Sequence, residues 1–262
     1  MSAQLKKIAL LNCLFGLGLL LQPVWAAGAS LPDTIDQIRR SIVAIGTLMP
    51  ARQPRWRFMA TGFVVADGQH VITNAHAVAK VLDINRNEIW AVLAPLDKNK
   101  GRRAKIIKVD KVHDVALLKI GGARLPSMQF GDSNRVREGE TYAFTGFPIG
   151  AVLGTRAVTH RGIISAITPI AIPQISSRSL DPNLIRRLRK PYEIFQLDAT
   201  AYPGNSGSPV YDPVTGRVIG IVNKVFVKRS KENVLKDPSG ITYAIPIRYA
   251  ASLLKELALI AN

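Results

Sequence analysis

Three short stretches carry side chains that could do chemistry together. Asp198-Ala199-Thr200-Ala201-Tyr202-Pro203-Gly204-Asn205-Ser206-Gly207-Ser208-Pro209-Val210 sets a serine among glycines, between two apolar runs. Ile72-Thr73-Asn74-Ala75-His76-Ala77 offers an imidazole, and His113-Asp114-Val115-Ala116-Leu117-Leu118 a carboxylate. A serine hydroxyl is a poor nucleophile at neutral pH. It needs a base within hydrogen-bond reach, and imidazole titrates in the right range. The imidazole needs a carboxylate to fix its tautomer and stabilise its cation. Ser206, His76 and Asp114 are the candidates for nucleophile, base and orienting acid. The glycines answer a different need. Acyl transfer puts negative charge on a former carbonyl oxygen, and backbone N–H groups aimed at that point stabilise it. Gly204 lets the main chain approach without a Cβ in the way. Its N–H and that of Ser206, with Asn205 between them, would form the oxyanion hole, and Gly207 permits the turn that presents the side chain. Each stretch alone is weak: a Gly-rich serine turn is more often only a turn, and His70, His113 and His160 read as structural or solvent-facing. The order His, Asp, Ser, each at the edge of a strand-rich segment, joins them.

The elements around these residues are mostly strands. Leu31 to Arg40 reads as a short helix, with acids early and basic residues late as the helix dipole prefers. Strand patterns follow at 41–48, 58–66, 69–73, 89–93, 103–110 and 115–120, with Asp67-Gly68 as a two-residue hairpin signal. His76 falls in a helical turn at 75–79, and 97–101 is turn-rich. Phe130-Gly131-Asp132-Ser133-Asn134 breaks the pattern. Strands resume at 141–145, 158–167, 194–197, 208–211, 217–227 and 241–245, with a tight turn at 212–216. A helical period over 248–261 closes the chain. Many short strands punctuated by Gly and Pro argue for barrels or sandwiches, and about a hundred residues on each side of Gly131-Asp132 suit two small β-barrels. The long connection 169–192 holds Arg186-Arg187-Leu188-Arg189-Lys190. It reads either as a solvated insertion or as a regulatory or substrate-facing loop.

The bulk properties set limits. With 262 residues, 47% of them hydrophobic, the chain can bury one large core or two small ones. Lys6-Lys7, an apolar run to Leu21 and the small residues Ala26-Ala27-Gly28-Ala29 read as a cleavable signal peptide over 1–29, with cleavage after Ala26 also fitting. The location expected is periplasmic or secreted. Cys13 is the only cysteine, so the mature chain has no disulfide, no thiol nucleophile and no cysteine metal site. Removing the signal lowers the formal charge from +17 to +15, because it takes Lys6 and Lys7 and no acid. Such a field favours anionic surfaces, an anionic envelope surface among them, or else only reflects a basic exported protein. Zinc-finger spacing, RNA-binding aromatic patterns and long basic blocks are missing, which excludes nucleic acid as the expected partner.

Taken together, the His76, Asp114 and Ser206 motifs resemble those of trypsin-like serine peptidases, and most closely the protease domain of the HtrA/Deg family. Gly146-Phe147-Pro148-Ile149-Gly150, Gly162-Ile163-Ile164-Ser165-Ala166-Ile167 and Tyr243-Ala244-Ile245-Pro246-Ile247 support the likeness, which runs from about Pro32 to the C-terminus. The resemblance implies an all-β, chymotrypsin-like double β-barrel with a short N-terminal helix and a C-terminal helix. His76 and Asp114 would lie on the first barrel (30–131) and Ser206 on the second (132–262). It implies an endopeptidase acting through an acyl-enzyme on protein or peptide substrates, with no cofactor and no metal. It places the S1 pocket beside 198–201 and 221–225, so that Thr200, Ala201, Val222 and Asn223 bind substrate. Thr200 falls where trypsin carries its aspartate, and an apolar P1 preference is expected. The chain departs from the family in three ways. No PDZ domain is expected after the protease, Ser208 stands where the family usually has Gly, and the trimer-forming segment is hard to identify, which leaves oligomerisation open. Two other readings use the same residues: a catalytically silent or chaperone-like binding protein, and an envelope-associated esterase.

Overall fold

Ile42–Leu48 (β1) is buried at six of its seven positions, because both of its faces meet protein. Side chains alternate along a strand. Ile42 and Ala44 join one apolar cluster, while Val43 and Ile45 join another. In a computed structural model of the chain, which describes residues 30–97, 100–148, 156–170, 191–223 and 240–261, β1 opens a closed six-stranded antiparallel barrel. It continues through β2 (Trp56–Val65), β3 (His70–Thr73), β4 (Ile89–Leu93), β5 (Arg102–Asp110) and β6 (Val115–Ile120), in the order β1-β2-β3-β6-β5-β4. A second closed barrel is built from β7 (Thr141–Gly146), β8 (Val158–Pro169), β9 (Glu193–Asp198), β10 (Pro209–Tyr211), β11 (Val218–Val222) and β12 (Ile241–Pro246), in the order β10-β11-β12-β9-β8-β7. The fold is the expected all-β double barrel, with helix α1 (Leu31–Ile38) before it and α2 (Arg248–Glu256) after it. The expected signal peptide with Cys13, Lys98-Asn99 of the turn, Ile149-Gly150, the 171–190 stretch and positions 224–227 of the 217–227 strand pattern lie outside the described residues.

Each barrel has its own interior. Val64, Val71, Val92, Leu118 and Ile120 fill the first, and Phe144, Ile164, Phe195, Leu197 and Val210 the second. A third cluster spans the two, with Phe63, Ile72 and Leu117 from the first barrel against Phe147, Tyr211, Ile221 and Ile245 from the second. Ala250, Leu253 and Leu254 of α2 seal this cluster. Their spacing puts them on one helix face. Burying a side chain of this size stabilises by about 1.5–3 kcal/mol, so the shared cluster holds the halves together without a disulfide.

The helix ends and one hairpin differ from the sequence pattern. Helical periodicity continues to Ala261, yet α2 stops at Glu256. Ala258 takes a left-handed φ of 53°, and the N–H of Leu259 turns back to the Leu254 carbonyl at 3.0 Å. Leu259 and Ile260 pack on the shared cluster from a turn instead of a helix. Between β2 and β3 the last pair is Val65 with His70, so the loop has four residues and not two. Asp67 widens it: its Oδ1 accepts from the Gln69 N–H at 3.0 Å and lies 2.7 Å from His70 Nδ1.

The loop after His76 is pinned by a buried anion. Glu88 accepts from Thr47 Oγ1 (2.7 Å), Arg52 Nη1 (2.8 Å), the Asp83 N–H (3.0 Å) and Lys80 Nζ. Burial pushes its carboxyl pKa up. The donors from Lys80, Thr47, Asp83 and Arg52 outweigh that and hold it well below the usual carboxylate range.

Candidate active site

His76 follows the end of β3 by three residues and starts a one-turn 3-10 helix, His76–Val78. Asp114 lies in the β5–β6 turn with a left-handed φ of 56°. A residue with a Cβ is strained there, by roughly 1–3 kcal/mol, so neighbours must hold it. Its carbonyl accepts from the Ala75 N–H (3.1 Å) and Asn74 Nδ2 (3.1 Å). Its carboxylate takes the His76 N–H on Oδ1 at 2.8 Å and faces His76 Nδ1 with Oδ2 at 2.7 Å. Two contacts from one carboxylate fix both the backbone and the ring. With the proton on Nδ1, Nε2 is left as the basic nitrogen. The Asp114 side chain is 10% exposed and that of His76 is 36% exposed. The carboxylate is therefore shielded while the ring stays reachable.

The Ser206 turn is defined by two glycines that only glycine suits. Gly204 has φ 106° and Gly207 φ 85°. The Asn205 N–H donates to the Tyr202 carbonyl (3.0 Å), the Ser208 N–H to Asn205 (3.0 Å) and the Gly207 N–H to Val222 (2.9 Å). The N–H groups of Gly204 and Ser206 donate to nothing among the described residues. Asn205 is the spacer between two available donors, its own N–H turned away.

Thr61, on β2, seats this turn against the first barrel, a role that no motif in the sequence marks. Its Oγ1 donates to the Gly204 carbonyl (2.7 Å), its N–H to the Ser206 carbonyl (2.9 Å), and its Oγ1 accepts from the Phe147 N–H (3.0 Å). Its carbonyl accepts from Thr73 Oγ1 (2.7 Å), at the end of β3. A Cβ on Gly207 would lie 2.1 Å from the Thr61 carbonyl oxygen and 2.4 Å from Thr73 Oγ1. The serine turn therefore rests on the strand end that leads directly to His76. Ser206 Oγ makes no hydrogen bond among the described residues. Such contacts are often long without substrate and tighten when it binds.

The four pocket candidates divide in two. Ala201 and Val222 are buried in the second barrel's core, and the Val222 N–H and carbonyl are both engaged by the serine turn. Thr200 and Asn223 are half-buried, with the Asn223 N–H on the Tyr243 carbonyl at 2.8 Å. The other histidines are placed structurally: His70 against Asp67, His113 against Asp110, and His160 stacked on Phe144 at 4.8 Å.

A model of the trypsin-like peptidase domain matches residues 60–221, which include Thr61, His76, Asp114 and Ser206. The chain belongs to the trypsin-like peptidase family. Among curated members, a probable periplasmic serine endoprotease, DegP-like, of Halomonas elongata is 30% identical over 201 residues, covering 77% of this chain and 35% of its own. The corresponding protein of Pseudomonas putida (strain W619) is 31% identical over 207 residues, covering 79% and 36%. The chain thus spans about a third of the length of the curated relatives it matches. Among solved structures, the HtrA-type protease AlgW with a decapeptide aligns with TM-score 0.63 at 22% identity, over 88% of this chain and 68% of that one. The Rv3671c protease from M. tuberculosis in its active form aligns with TM-score 0.60 at 22% identity, over 85% and 82%. These two show the trypsin-like peptidase double barrel.

Proposed function

We propose that the chain is an exported serine endopeptidase in which Ser206 attacks the scissile carbonyl. His76 takes the hydroxyl proton through Nε2 and returns it to the leaving amine. Asp114 keeps the other ring nitrogen protonated and stabilises the imidazolium. The N–H groups of Gly204 and Ser206 meet the oxygen that becomes negative. The acyl group left on Ser206 is then released by water along the same proton route. The observation that carries this reading is the 2.7 Å contact between His76 Nδ1 and Asp114 Oδ2, in a fold whose serine turn has two N–H groups uncommitted among the described residues.

Peptide substrates are supported by the decapeptide on AlgW, and a periplasmic location by the names of the relatives. Thr200 and Asn223 are the pocket residues with exposed surface; Ala201 and Val222 back them. The catalytic groups divide between the halves near Gly131-Asp132. Arg103 and Lys105 on β5 are exposed, and Lys105 lies directly opposite the exposed Lys119 on β6. That basic strip, without an ion pair among the described residues, suits an anionic envelope surface, an association that added salt weakens. The available oxyanion donors favour the active enzyme over a silent binding protein on the same scaffold.

The test is labelling by a fluorophosphonate probe together with casein hydrolysis. Wild type labels and cleaves. Ser206→Ala does neither, yet keeps the wild-type melting temperature within a few degrees. Labelling that survives in Ser206→Ala refutes the assignment, and ester turnover without casein or peptide turnover redirects it to an esterase.

A further inference from the structure

His113 stands next to Asp114 and is held more tightly than a surface histidine needs. Its N–H donates to Asp110 Oδ1 at 3.1 Å, and its ring Nδ1 lies 2.5 Å from Asp110 Oδ2. The Val112 N–H also donates to Asp110 Oδ1, at 2.9 Å. Burial raises the Asp110 carboxyl pKa, and the contacts from the His113 ring, the His113 N–H and the Val112 N–H bring it below its ordinary value. The ring faces two tyrosines of the second half. It stacks on Tyr249 of α2, centroids 3.9 Å apart and planes 13° apart, and meets Tyr192 edge-on at 4.8 Å. The two tyrosines contact each other at 5.3 Å, and the Arg248 guanidinium lies 5.0 Å over the Tyr249 ring.

The β5–β6 turn therefore has an anchor on each side of Asp114. Asn74 and Ala75 hold its carbonyl from within the first barrel, while the preceding residue is clasped by rings from the second. Asp114 sits at a strained φ and must be over-determined to stay there. We propose that His113 is a positioning residue for the Asp114–His76 pair, acting through its stack on Tyr249 so that the pair is aligned only when the two halves are docked. This rests on the proposed role of the pair in catalysis. The same strut fixes the height of the carboxylate relative to the half that carries Ser206. A small misplacement of such a group costs rate and not substrate binding.

The experiment compares His113→Ala, Tyr249→Leu and Tyr249→Phe with wild type, in kinetics on a peptide substrate and in the far-downfield proton resonance of His76 Nδ1–H, assigned by its loss in His76→Gln. His113→Ala and Tyr249→Leu are expected to lower kcat about tenfold or more, with KM within about twofold, and to broaden or shift the resonance. Tyr249→Phe keeps the ring and restores both to near wild type. Folded His113→Ala and Tyr249→Leu proteins with wild-type kcat and an unmoved resonance overturn the proposal, as does a change confined to KM. Should His113→Ala fail to fold, Tyr249→Leu read against Tyr249→Phe carries the same contrast. A wild-type protein without peptidase activity would sink the proposed function alone, because the resonance reads the His76–Asp114 bond directly.

Discussion

Ser208 Oγ is fully buried and finds no hydrogen-bond partner among the described residues. It lies where a Cβ on Gly146 would fall, 1.9 Å from that ideal position. A buried hydroxyl without a partner is a cost, and deleting it removes that cost while keeping the shape. Ser208→Ala is expected to be as stable as wild type or more stable by up to about 1 kcal/mol, with labelling of Ser206 retained; thermal unfolding checks the first and the fluorophosphonate probe the second. The site's legibility at this scale follows from range. Ser206 and its glycines read clearly because the backbone angles of Gly204 and Gly207 are demanded locally. His76 and Asp114 read clearly because each sits at a strand edge in a distinctive string. Thr61 was silent: one threonine in a strand resembles any other, and its partner Gly204 lies 143 positions away. His113 reads as a bystander until Tyr249 is brought beside it by the fold.

Among the elements, the loop between β3 and β4 draws its order from a single buried group. Glu88 ties Lys80, four residues after His76, to Thr47 at the far end of β1 and to Arg52. Its side chain is 2% exposed, so Glu88→Gln leaves two cations without their anion. It should cost at least about 1–3 kcal/mol, seen as a lower midpoint in urea unfolding. The sign of the pH effect follows from the depressed folded-state pKa. The stabilisation is complete above the unfolded value of 4.5 and is lost as pH falls below it toward the folded value. Wild type is expected to lose more stability than Glu88→Gln between pH 6 and pH 3, and parallel curves would remove the network from the account. Strands were readable because those buried on both faces, such as β1, run nearly unbroken in Ile, Val and Ala. Ends were less so. Periodicity carries α2 to Ala261, but Leu259 and Ile260 reach the core better from a turn. Asp67-Gly68 signals a tight hairpin, and the Asp67 side chain instead organises a wider one.

Across the whole molecule, the halves meet through an apolar cluster, the rings around His113 and the hydrogen bonds of Thr61. Thr61→Val keeps the volume and removes the hydroxyl, leaving the Gly204 carbonyl and the Phe147 N–H without their bonds. The expected outcome is a fall in stability of about 1–3 kcal/mol and, on the proposed oxyanion role, fluorophosphonate labelling slowed more than about tenfold, since the serine turn loses its seat. Labelling at the wild-type rate would show that the turn holds itself. The division of the residues has a further consequence. The imidazole and carboxylate belong to the half that leaves the ribosome earlier, and the alcohol to the half that follows it. On the proposed reading, a polypeptide that stops short of Ser206 holds no complete set of reacting groups. On that reading hydrolysis waits for the second half to fold against the first, with α2 packed on the shared cluster, and copies cut short before the serine turn cannot digest themselves or their surroundings.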